Sequence, residues 1–115
     1  EKLKNGKHVR GKTIAELGMG NMPLDMVVYN RDGKDYILMA NTTRNAMKFA
    51  IDDIASTNAN ITTRTKVRNG TEGVKYVSFP RVLQQLAKFD EKSVLMVARF
   101  PNGSLTMVKM DTKWL

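Results

Sequence analysis

The sequence predicts an all-β chain built from antiparallel sheets, on three observations. First, two stretches read as one three-stranded unit, Pro23 to Ile51 (PLDMVVYNRDGKDYILMANTTRNAMKFAI) and Val82 to Met110 (VLQQLAKFDEKSVLMVARFPNGSLTMVKM). Second, turn chemistry divides the apolar runs in both: Asn30-Arg31-Asp32-Gly33 and Thr43-Arg44-Asn45 in one, Asp90-Glu91-Lys92 and Pro101-Asn102-Gly103 in the other. Third, the units overlay: Leu24 matches Leu83, the second strands match as YILMA and VLMVA, and the third as AMKFAI and LTMVKM. A self-similar antiparallel unit recurring at about 60 residues is the signature of a repeat architecture.

Taken in order, Glu1 to Lys7 is polar and linker-like, and His8 to Leu17 alternates in a way that predicts a half-exposed strand over 12–17. Gly18 to Met22 is a loop. Pro23 suits the first position of a strand, where its missing N–H costs no ladder bond. Strands are expected at 24–29 and 35–40, apolar on both faces as in sheets covered from both sides. They are joined by a hairpin at Asp32-Gly33, with Gly33 at positive φ. A half-exposed strand follows at 46–51, with Met47, Phe49 and Ile51 on one side. Asp52 to Ala59 reads as a loop, because Ser56-Thr57-Asn58 cuts short any helical turn. The segment 61–67 is expected as the outer, fourth strand of the first set. Asn69 to Gly73 makes a turn and Val74 to Phe79 a further extended piece; the second unit supplies strands at 83–89, 93–99 and 104–110.

At 115 residues the chain is of one-domain size. No apolar run approaches the 18 or more residues of a membrane-spanning helix. Glu1 opens neither a signal peptide nor a translation start, so sequence upstream of it is expected. The absence of cysteine removes disulfides, thiolate catalysis and Cys-ligated zinc, without deciding the compartment. The net charge of +8 raises anionic partners. Arg64, Lys66 and Arg68 alternate with Thr63, Thr65 and Val67, so on a strand the three cations share one face, either as an anion-binding stripe or as a solvated, charge-protected edge. The aromatic residues sit within or beside apolar runs instead of being interleaved with cations, so nucleic acid is not the expected partner.

Catalytic chemistry is sparse. His8 is the only histidine and lies in a basic segment, which leaves no Ser-His-Asp arrangement beyond it and no His-rich metal site. Asp52-Asp53 is one pair of carboxylates, thin for a calcium ion that takes six to eight oxygens. Gly18-Met19-Gly20-Asn21 lacks the Lys-Ser/Thr and the helix of a phosphate loop. Of the eight methionines, Met26, Met39, Met47, Met96 and Met107 fall in strand runs and read as adaptable core filling; Met19 and Met22 lie in a loop. Asn41, Asn60, Asn69 and Asn102 open glycosylation-type triplets that are also ordinary turn composition. No catalytic or metal-binding residue is assigned, and no cofactor follows from the residues.

The order Pro-Leu-Asp-Met-Val-Val-Tyr, Asp-Gly-Lys, Tyr-Ile-Leu-Met-Ala-Asn, polar turn, Met-Lys-Phe resembles a blade of the bacterial β-propellers of the NHL and YVTN type, over most of Gly11 to Met110. The second unit departs from that pattern, lacking the Asp-Gly hairpin and carrying Gln84-Gln85 in its first strand. The resemblance implies antiparallel four-stranded blades, about two of them over 12–67 and 74–115, forming a single segment that is the C-terminal portion of a β-propeller. Two blades do not close a ring of four to eight, so protein from another chain, or from a part preceding Glu1, is expected to complete it. The matching motifs are structural and imply a non-catalytic scaffold, periplasmic or secreted. Asn21, Asp25, Asn41 and Arg44 are the polar residues expected to face its ligand or central channel. Two alternatives stay open: a piece of a propeller enzyme or redox protein whose catalytic groups lie elsewhere, and a basic β-domain that binds nucleic acid or glycan.

Overall fold

A computed structural model describes residues 4–65 and 70–115. The elements are β1 (Ala15–Glu16), β2 (Pro23–Arg31), β3 (Lys34–Asn41), β4 (Ala46–Ala50), α1 (Ile51–Ser56), β5 (Glu72–Gly73), β6 (Val77–Phe79), β7 (Val82–Asp90), β8 (Ser93–Arg99) and β9 (Leu105–Asp111), closed by a 3-10 turn at Thr112–Trp114. They form an antiparallel four-stranded sheet in the order β2-β3-β4-β6, a three-stranded sheet β7-β8-β9, and the short ribbon β1-β5. The chain is all-β with several sheets, as its period-two patterning requires.

The first hairpin is fixed locally. Arg31 pairs with Lys34, leaving Asp32 and Gly33 as a two-residue loop with φ of 52° and 76°. Two positive φ values in sequence define the mirror-image turn whose twist matches that of antiparallel strands. The Asn30 side chain accepts the Gly33 amide at 3.1 Å and donates to Asp35 at 2.8 Å, which locks the loop to its flanks.

The two large sheets stack face to face. Val27, Tyr29, Leu38, Ala40 and Ala46 of the first are buried with Leu83, Leu86, Val94, Met96 and Ala98 of the second. Leu115 joins them, its carbonyl oxygen accepting from Arg31 Nη1 at 2.8 Å and Lys48 Nζ at 3.1 Å. The other face of the first sheet buries Met47 and Phe49 beneath Ile14, Ala15 and Leu17 of the β1 region, Val74, Tyr76 and Ile54 of α1. This cover closes at Gly73, whose φ of 93° and absent side chain let the backbone run against the Ile14 carbonyl.

The stacking is head to tail. Counting from the hairpin loops, Tyr36, Leu38 and Ala40 stand two, four and six places beyond Lys34 and face the second sheet. The same places beyond Ser93 are Leu95, Val97 and Arg99, and these turn away from the first sheet, while Val94, Met96 and Ala98 face it. Tyr36 therefore aligns with Leu95, one residue along from the overlay of YILMA on VLMVA. The face that the first sheet uses to hold the second is the face that the second leaves open. A contact of this heterologous kind does not satisfy itself.

Three expectations are corrected. The strand at 12–17 shrinks to Ala15–Glu16, which find only the two residues of β5 to pair with. The fourth strand of the first sheet is Val77–Phe79, not 61–67; residues 61–65 form no strand, and Lys66, Val67 and Arg68 lie outside the described residues. Strand propensity is realised only at an edge that accepts it. The β4 edge is taken by β6, with Ala46 N–H donating to Arg81 O at 2.8 Å. Finally, Ile51–Ser56 is a helix where strand end and loop were expected. Asp52 and Asp53 in its first turn complement the helix dipole, and Ile54 packs onto the first sheet.

Candidate binding surface

Asn21, Asn41 and Arg44 come together at one corner, where the Gly18–Met22 loop meets the turn after β3. Asn21 Nδ2 donates to Leu17 O at 3.2 Å and to Asn41 Oδ1 at 3.3 Å; Asn21 Oδ1 accepts from Thr43 Oγ1 at 3.1 Å. Asn41 is fully buried and donates to the carbonyls of Met39 and Asn45. Buried amides are costly unless satisfied, and this one is. The Arg44 guanidinium lies over Gly18, where a Cβ would meet it at 2.6 Å. The residues thus tie two loops together, with Asn21 and Arg44 both half-buried.

Asp25 sits apart from them, at the seam between the sheets. Its Oδ1 accepts from the Met26 amide and its Oδ2 from the Leu86 amide, both at 2.8 Å. The register slips between Pro23 and Asp25 on β2 and between Leu83 and Gln85 on β7, so bulges on both strands aim these groups at each other. Beside Asp25 lies a depression of about 300 Å³ lined by Gln85, Leu86, Ala87, Leu95, Met96, Val97 and Met107. It is the inner part of the open face of the second sheet, which continues to exposed Leu105 and Phe89. A second apolar groove, about 240 Å³, lies between the first sheet and its cover, among Ile14, Leu17, Met26, Met39, Ile54 and Val74.

The electrostatics are structural. Burial pushes the Tyr29 phenol above its ordinary range, and its ring stacks on Tyr36 with centroids 5.6 Å apart. Burial, and then the nearby Arg31 charge, lowers the pKa of Lys48, whose ammonium stands 5.3 Å from the Tyr36 ring centre. His8 is exposed, and Asp52 and Asp53 are exposed on α1. Among the described residues no group of three His, Asp or Glu side chains could hold a metal ion, and no catalytic constellation is assembled. Among the described residues no helix is long and apolar enough to cross a membrane. Arg64 is exposed, while Lys66 and Arg68 of the basic stripe lie outside the described residues. Leu105 and Phe89 were not singled out from the sequence as surface residues; an apolar strand residue looks the same there whether it is covered or bare.

Comparison with protein-family models, with curated proteins and with solved structures finds no match for this chain.

Proposed function

We propose that this chain is a non-catalytic β-propeller segment, a rigid scaffold of two blade-like sheets for binding protein or another ligand, completed by further blades from another chain or from a preceding part of the same protein. The observation that carries the reading is the head-to-tail stacking, which leaves Leu95, Val97 and Met107 of the second sheet without cover. Met47 in the first sheet is 1% exposed; Met107 is 69% exposed. Contiguous bare apolar area on a soluble protein marks an interaction site. The consecutive antiparallel runs β2-β3-β4 and β7-β8-β9 support the blade assignment. Asp25, at the mouth of the depression, and Asn21 and Arg44, at the loop corner, are the polar groups proposed to meet the ligand.

Sedimentation of the purified chain tests this. It is expected to self-associate with rising concentration, and Val97→Lys, which places a charge on the bare face, is expected to weaken that association. A strictly monomeric chain with a cooperative unfolding transition would overturn the reading.

A further inference from the structure

The free edge of the second sheet carries an inference beyond the scaffold reading, which concerns the open face. Three long strands stand at sheet edges, and two are guarded. β2 begins with Pro23 and is bulged beside it, and β7 carries two bulges, one of them sealed by Asp25. β9 has neither device. Its seven residues, Leu105 to Asp111, contain no proline, pair with β8 in unbroken register, and meet no described strand on the other side. Regular, unprotected edges of this kind are templates for strand addition. Lys109, the one cation within β9, is drawn back onto its own sheet, 3.3 Å from Asp90 and 4.2 Å from the Phe89 ring centre.

The orientation of the edge amides follows from one bond. Thr112 N–H donates to Lys92 O at 2.8 Å, toward β8. Backbone groups alternate along a strand, so Met110, Val108 and Thr106 also point to β8, while Leu105, Met107 and Lys109 point outward. An antiparallel copy of β9 centred on Met107 sets Met107 against its own mate, Leu105 against the mate's Lys109, and Thr106 against the mate's Val108. The lysines do not face each other and the apolar residues meet in the middle. We propose that a second copy of this chain adds to this edge, β9 against β9, making one continuous sheet with three strands from each copy. The two-fold axis is perpendicular to that sheet, so both open faces lie on the same side and merge.

Hydrogen exchange on the whole chain, read residue by residue at low and high protein concentration, tests it. The amides of Leu105, Met107 and Lys109 are expected to slow by roughly tenfold or more as dimer forms, because they are otherwise open to water. Met107→Pro removes one outward N–H and spares the β8 ladder. It should abolish the dimer while Thr106 and Val108 stay protected, whereas Val97→Lys should leave the edge protection in place. If those three amides exchange freely in the associated state, the edge proposal fails; association that Val97→Lys then removes would leave the scaffold reading standing. A monomer at every concentration would overturn both.

Discussion

The Asp25 carboxylate accepts the Leu86 amide at 2.8 Å across the seam of the two sheets, 61 residues apart in the chain. Leu86 lies on an edge strand, and its N–H points away from β8 to a place that only a side chain from β2 can fill. The bond therefore adds a directional link to a seam that is mostly apolar and is otherwise tied at its far end by Arg31 and Lys48 donating to Leu115 O. It makes Asp25 a positioning group as well as a surface one.

Replacing Asp25 with Ala leaves the Leu86 amide half-buried and unpartnered. A loss of about 1–3 kcal/mol is expected, read as a shift of the urea midpoint. Asp25→Asn keeps one acceptor oxygen and should lose less. Equal stability of the alanine variant and the parent would show that water serves Leu86 as well as the carboxylate does.

Gly33 holds the first hairpin at a φ of 76° with open space around it. Gly33→Val meets no clash, so its cost is conformational, on the order of 1 kcal/mol or more. Gly33→Asn, which tolerates left-handed backbone, should recover part of it. Thermal unfolding of the two variants side by side separates backbone strain from packing.

Gly73 is a different case, because a Cβ there would strike the Ile14 carbonyl. Gly73→Ala is expected to part β1 from β5 and lift the cover from Met47 and Phe49. The Val74 amide, which donates to Ile14 O at 3.1 Å, should then exchange at least tenfold faster while the β7-β8 amides are unchanged. Unaltered exchange at Val74 would mean that the ribbon tolerates the shift.

Asp111 caps the last turn, its Oδ1 accepting from the Lys113 amide at 2.9 Å. That bond, and then the Lys113 ammonium, hold its pKa below the ordinary 3.8. A carboxylate whose folded-state pKa is depressed stabilises the fold above its unfolded pKa, and that contribution disappears as the pH falls through the lower folded value. The emission of Trp114, the chain's single tryptophan, is expected to change below about pH 3.8, with the change absent in Asp111→Asn.

Local chemistry made much of this legible from residues alone. Two short apolar runs and the Asp32-Gly33 between them specify the first hairpin, because an apolar run bounded by turn residues and two positive φ values are properties of a few adjacent residues. The three strands of the second unit follow for the same reason, within a residue or two at each end. α1 was missed because the six residues of Ile51–Ser56 have no side-chain cap to announce them, and their helix rests on Ile54 packing against a distant sheet. Only the tertiary structure decided that Val77–Phe79 takes the β4 edge, that Asn41 is buried among carbonyls, and that Met47 is covered while Met107 is bare. Each of these depends on which edge or face arrives first from far along the chain. Period-two patterning records that a residue alternates, but not what stands opposite it.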